Sequence, residues 1–93
     1  MNTSAPAFDE RVRNVAFDEV SIHVELMDGR RVSAPLAWYP RLAAASAEQR
    51  SRWVPCASGY GMHWEDLDED VSTEVMLRQH SEAERYLAQR ASG

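Results

Sequence analysis

His63, Glu65, Asp66, Asp68, Glu69 and Asp70 are the side chains whose types and spacing come nearest to chemistry. They lie in one stretch, Gly59 to Ser72, where a glycine-flanked aromatic run passes directly into five carboxylates within six positions. Asp66, Asp68 and Asp70 alternate as the opening ligands of a calcium loop do, but such a loop also needs a later glycine and a terminal bidentate glutamate. Val71 and Leu77 stand at those positions, so no calcium site is expected. His63 with Glu65 or Asp66 could form an acid–base pair, and His23 or His80 could add a metal ligand. The histidines are scattered rather than set at ligand spacing, and no serine or cysteine lies in a nucleophile motif. Gly59-Tyr60-Gly61 lacks the third glycine and the lysine of a phosphate loop and reads as a bend. The expectation is no catalytic residue, no metal and no cofactor, with His63 a hydrogen-bonded structural residue beside Trp64.

The acids themselves have a structural explanation. Ser72 can cap a helix beginning at Thr73, and carboxylates just ahead of a helix are favoured by its exposed amides and dipole, by ~0.3 to 1 kcal/mol each. Five together also repel one another, so some are expected to pair with arginines or to meet a basic partner. The whole chain is acidic, with ten arginines and no lysine against fifteen acids and a net charge of −5. The arginines are dispersed, which disfavours direct binding to a phosphate backbone.

Positioning these residues requires a fold, and 93 residues allow one domain with one modest core. No apolar run approaches the ~20 residues of a membrane span, and Asp9 and Glu10 stand where a signal peptide would be basic or apolar. A cytoplasmic chain without membrane contact is expected. Cys56, the single cysteine, cannot form an internal disulfide and reads as a small core residue. Val20, Ile22, Val24 and Leu26 alternate with polar neighbours as a half-buried strand does, and Val32, Ala34, Leu36 and Trp38 repeat the pattern. Asp28-Gly29 lies between as a hairpin signal. A two-residue loop would split the apolar residues between the sheet's faces, whereas a three-residue loop of Met27, Asp28 and Gly29 pairs Val24 with Val32 and Ile22 with Ala34 on one face. Gly29 then takes the left-handed position.

Arg11 to Phe17 is short and irregularly apolar. Pro40 suits a first helical turn with Leu42 as its inward anchor, and Ser46-Ala47-Glu48-Gln49 has the form of a capping box for a restart. Cys56 to Trp64 is expected to return to the sheet as an extended segment, with Gly59 and Gly61 bending it or allowing close approach. Val75, Met76 and Leu77 give the helix after Ser72 its apolar side. Trp38, Trp53 and Trp64 fall at element ends and are expected to wall one core; an exposed Trp64 would instead be a binding anchor. The fold class is α+β: a small single domain with an antiparallel three- to four-stranded sheet, a β-hairpin around Asp28-Gly29 and short helices packed on it. Residues 1–7 are expected to be a mobile leader, 8–78 the domain, and 79–93 a polar helix or tail.

Asp28-Gly29-Arg30-Arg31, Pro35-Leu36-Ala37-Trp38-Tyr39-Pro40-Arg41-Leu42, Glu48-Gln49-Arg50, and Gly61-Met62-His63-Trp64 through Asp68-Glu69-Asp70-Val71-Ser72 form four blocks in order. From about Arg11 to Leu77 the chain resembles the bacterial family called domain of unknown function 2442. The resemblance implies a small α+β domain with a meandering antiparallel sheet and supplies no catalytic residues. It also implies a place in bacteria and mobile elements, sometimes beside a small partner protein in a toxin–antitoxin arrangement. The function expected is a non-enzymatic protein-interaction module, antitoxin-like or regulatory. It would bind a protein partner through Trp64, Glu65, Asp66, Asp68, Glu69 and Asp70. The alternative is an acidic nucleic-acid mimic that inhibits a defence enzyme, of the anti-CRISPR or anti-restriction type. A mimic should space its carboxylates along an extended face, whereas an antitoxin-like surface should mix them with apolar anchors. An unpaired edge strand would permit a homodimer.

Overall fold

The structure is a computed structural model and describes residues 7–79. The expected leader and tail therefore lie, apart from Ala7 and Gln79, outside the described residues. Strands β1 (Val12–Phe17), β2 (Ser21–Leu26) and β3 (Arg31–Pro35) form an antiparallel meander in that order. The β2–β3 hairpin has the predicted three-residue loop. Val24 pairs with Val32 and Ile22 with Ala34, while the Leu26 N–H donates to the Arg30 carbonyl at 2.8 Å. Gly29 adopts φ +96°, the left-handed conformation that the loop requires and that side chains resist. Ile22, Val24 and Leu26 are buried as expected, but Val20 is 70% exposed. The Asp18 carboxylate accepts the backbone N–H groups of Val20 and Ser21 at 2.9 and 2.8 Å, so a side-chain-closed turn claims Val20 and the strand begins one residue later.

β1 is a strand that the sequence pattern hid. A register shift between Val12 and Asn14 inserts one residue, so Val12, Val15 and Phe17 share the inner face although their spacing breaks strict alternation. The N-terminal approach to β1 is tied to the hairpin loop. The Asp28 carboxylate accepts the Asp9 N–H at 2.9 Å and the Arg30 guanidinium at 2.8 Å, and the Met27 N–H donates to the Arg11 carbonyl at 2.8 Å. The Arg30 guanidinium, with the backbone N–H groups of Arg30 and Asp9, holds the Asp28 carboxyl well below the usual carboxylate range.

After β3, a 3-10 turn over Leu36–Trp38 leads into α1 (Pro40–Ala43) and α2 (Ala47–Ser51). Both helices start where the sequence placed them: Pro40 occupies the first turn, and the Ser46–Gln49 capping box is complete. Leu42 is fully buried. Arg50 ties the pair together. Its guanidinium donates to the carbonyls of Leu42 (2.8 Å) and Ala43 (3.1 Å) and lies 5.2 Å from the Phe17 ring centroid.

The rest of the chain builds a second antiparallel meander from β4 (Val54–Cys56), β5 (Gly61–Trp64) and β6 (Glu69–Ser72). A helix, α3, follows over residues 73–79. The α+β class, the hairpin and the packed short helices hold. The strands are divided into two three-stranded sheets, where one sheet of three or four was expected. The returning segment pairs with its own neighbours at Met62↔Val71 and Val54↔His63 rather than with β1–β3. Met62, Trp64, Val71 and Met76 join Ile22, Val24, Leu26 and Leu42 in one core. Trp64 is 1% exposed, Trp53 packs at the margin and Trp38 is 42% exposed, so one tryptophan, not three, is central to the core. The Trp64 indole N–H donates to the Arg50 carbonyl at 2.9 Å, and its ring meets Phe17 edge-on at 6.4 Å. Trp64 thus joins both sheets and α2.

Candidate partner-binding site

The acidic stretch does not precede a helix directly, contrary to the sequence reading. Glu65–Leu67 make a 3-10 turn, Asp68 takes the left-handed conformation (φ 51°, ψ 47°), and β6 runs from Glu69 to Ser72 before α3 begins. Aspartate tolerates that conformation better than most residues. Pairing with β5 makes Glu69–Ser72 a strand despite two acids in four positions. The helix-dipole explanation therefore does not apply to these five carboxylates. The cap does: the Ser72 hydroxyl accepts the Val75 N–H at 3.2 Å.

The segment's acids face different surroundings. Asp66 meets the Arg52 guanidinium at 2.5 Å, which also reaches Glu48 at 3.0 Å, and these carboxylates raise the Arg52 pKa, Asp66 foremost. His63 lies between Glu65 (Nε2, 3.0 Å) and Asp70 (Nδ1, 2.5 Å), and the two carboxylates raise its pKa, Glu65 more than Asp70. Arg41 donates to the Asp68 carbonyl. Among the described residues, no ion pair or hydrogen bond engages the Asp68 or Glu69 carboxylates. The expected arginine pairing is thus met at Asp66, and the expected hydrogen-bonded role of His63 is met by Glu65 and Asp70. Trp64 departs from the proposed surface, because its side chain points into the core while Glu65, Asp66, Asp68 and Asp70 are exposed.

A groove beside the segment contains residues that the sequence reading did not single out as a site. It encloses about 890 Å³ between Tyr39, the β4–β5 turn, β6 and the start of α3. Tyr60 and Val75 contribute partly exposed apolar surface, while Glu10, Asp70 and Glu74 supply carboxylates. Two anchors preform it: the backbone N–H and hydroxyl of buried Thr73 both donate to the Tyr60 carbonyl, at 3.0 and 3.1 Å. Gly61 lies on its wall, where an added Cβ would sit 3.0 Å from the Cys56 Sγ and 3.2 Å from the Val71 carbonyl oxygen. Close approach is therefore what this position requires. Gly59, at φ +94°, supplies the bend. Ala57 and Ser58 precede it with φ of 52° and 58°, giving three successive positive-φ residues, two of them carrying the steric cost that glycine avoids. Burial, with the nearby Asp70 charge, pushes the Cys56 thiol pKa up and keeps it in its less reactive protonated form. The tyrosine between two glycines was the one local signal for this site. Glu10, Tyr39 and Val75 come from distant points of the chain.

A sequence profile of the family described as Protein of unknown function (DUF2442) matches residues 12–82. The chain belongs to this family. The four blocks singled out from the sequence all fall within the matched span. A similar fold is seen in a solved structure, the crystal structure at 2.75 Å resolution of a protein of unknown function from Rhodospirillum rubrum ATCC 11170. It is 28% identical, with 74% of this chain and 86% of that one covered at a TM-score of 0.62. No curated protein matches the chain. The chain is thus a small DUF2442 domain related to a bacterial protein of unknown function.

Proposed function

We propose that the chain is a non-enzymatic protein-binding module, antitoxin-like or regulatory, that acts in the cytoplasm and meets a partner protein through the acidic segment Glu65–Asp70. The observation that carries this reading is the mixture of groups beside that segment. Asp70 shares one groove with Tyr39, Tyr60 and Val75. Exposed aromatic and aliphatic side chains beside carboxylates suit a protein surface with basic and apolar groups, since protein interfaces favour aromatic anchors within polar rims. A nucleic-acid mimic would make better use of an uninterrupted row of carboxylates, whereas His63 and Arg52 hold three of these acids in two separate clusters.

The test is affinity capture from the native host, with and without nuclease, comparing the wild type with a combined Asp66→Ala, Glu69→Ala and Asp70→Ala variant that retains its thermal melt. A protein captured by the wild type, lost with the variant and rebound in purified form supports the module. A small toxin or regulator as the target supports the antitoxin-like reading, and a nucleic-acid enzyme would replace it with the mimic. Captures that are identical for both forms would overturn the assignment to the acidic segment.

A further inference from the structure

The groove of Tyr39, Tyr60 and Val75 indicates what kind of partner group enters it. Three carboxylates, those of Glu10, Asp70 and Glu74, line it, and no arginine or histidine does so among the described residues. Each carboxylate has an own-chain cation nearby but outside the lining: Arg30 at 3.1 Å from Glu10, His63 at 2.5 Å from Asp70 and Arg78 at 3.6 Å from Glu74. These are solvent-accessible pairs, which hold their acids weakly and leave lone pairs for a second donor. Tyr60 is 48% exposed and can offer an aromatic face to a cation. A volume of about 890 Å³ accommodates a long side chain with flanking backbone. β6, the outer strand of its sheet, runs along one side and leaves an edge for an extended chain to follow.

We propose that this groove takes an arginine-bearing extended segment of the partner protein, its guanidinium against Tyr60 and among Glu10, Asp70 and Glu74. Arginine suits the site better than lysine because its planar, weakly hydrated head stacks on an aromatic ring and forks onto carboxylates at once. The inference rests on the protein-binding reading and adds the chemistry of the group that enters the groove.

The test uses the full chain, a synthetic peptide alternating arginine and leucine, and the same peptide with citrulline in place of arginine. Citrulline keeps the shape and removes the charge. Amide chemical shifts of Tyr60, Gly61, Ser72 and Val75 should move with the arginine peptide. Its affinity should fall about tenfold or more with citrulline, with Tyr60→Ala, or with Asp70→Asn combined with Glu74→Gln. Thermal melts of the variants confirm that each is folded. Shifts confined to Glu65–Glu69 would overturn the groove and leave the acidic segment as the partner surface. Equal affinity for the arginine and citrulline peptides would also overturn it, as would shifts of the same groove amides on concentrating the protein alone, which would assign the groove to a second copy. Absence of peptide binding, with the captured protein still lost on Asp66→Ala with Glu69→Ala, two residues outside the groove lining, would overturn the groove and leave the module standing.

Discussion

Truncation of Trp64 tests the joint between the two sheets. The side chain is 1% exposed, so nearly all of an indole's ~150–250 Å² leaves water, a transfer of about 4–6 kcal/mol at ~25 cal/mol per Å² as an upper bound. Its N–H bond to the Arg50 carbonyl adds ~1 kcal/mol, and its edge contact with Phe17 about 0.5–1.5 kcal/mol. Against these stands partial collapse of the cavity, and measured Trp→Ala losses in cores cluster at about 3–5 kcal/mol. We expect about 4 kcal/mol for Trp64→Ala. A domain of this length has ~5–14 kcal/mol in total, so the variant should sit close to unfolding, with a midpoint lowered by about 15–30 °C. Urea denaturation followed by far-UV circular dichroism, with a shared m-value, measures the loss. Trp38→Ala supplies the internal control: the same chemical change at a 42% exposed site should cost under about 1 kcal/mol. Equal losses at the two positions, or a Trp64→Ala loss below about 1 kcal/mol, would refute the central role assigned to Trp64.

Four further outcomes follow, three of them from the site. Glu65 and Asp70 raise the His63 pKa above its unfolded value near 6.5. Its contribution should be complete below that pH and disappear as pH rises through the folded value. The urea midpoint of wild type minus that of His63→Gln should shrink accordingly between mildly acidic and alkaline pH, and a difference that grew would reverse the assignment. Asp18 behaves oppositely, because His23 and two backbone amides hold its pKa down to about 2. Wild type should lose its advantage over Asp18→Asn as pH falls from about 4 toward 2, as acid titration of the melt will show. Gly61→Ala should cost about 1–3 kcal/mol by crowding Cys56 Sγ and the Val71 carbonyl, and less in a Cys56→Ala background, a coupling that a double-mutant cycle measures. Asp66→Ala with Glu69→Ala should leave the melt nearly unchanged, since Asp66–Arg52 is an exposed pair screened by solvent; collapse would mean that these acids hold the β5–β6 hairpin.

The register of the β2–β3 hairpin was legible because parity and the glycine position allow one pairing, but its ends were not: Val20 and Leu36–Trp38 alternate like strand residues and lie in turns. The starts of α1, α2 and α3 were legible because proline at a first turn and side-chain capping are local chemistry. β1 escaped because its bulge breaks the alternation that identifies strands. β6 escaped because acids have poor strand propensity and only pairing with β5 overrides it. At the site, the pairing of Asp66 with an arginine and the anchoring of His63 followed from charge and spacing. The burial of Trp64 follows from the size of its ring, and that burial keeps the side chain from the partner surface to which its place in the sequence also assigns it. The groove could not be read, since Glu10, Tyr39, Tyr60 and Val75 meet only when both meanders are formed.

The order of the strands has a consequence for how the molecule assembles. Each sheet pairs only strands that follow one another along the chain, without a crossover. The loops to be closed within each meander are short, and closing them costs little chain entropy. Each sheet can therefore condense locally, as in proteins of low contact order, which fold fast. The slow step is then the docking of the two meanders, with Trp64 meeting Phe17 and Arg50 across the junction. A nascent chain would complete the first meander before the residues of the second had been synthesised, so the apolar face of that sheet stays uncovered until Trp64 and Met62 arrive to pack on it.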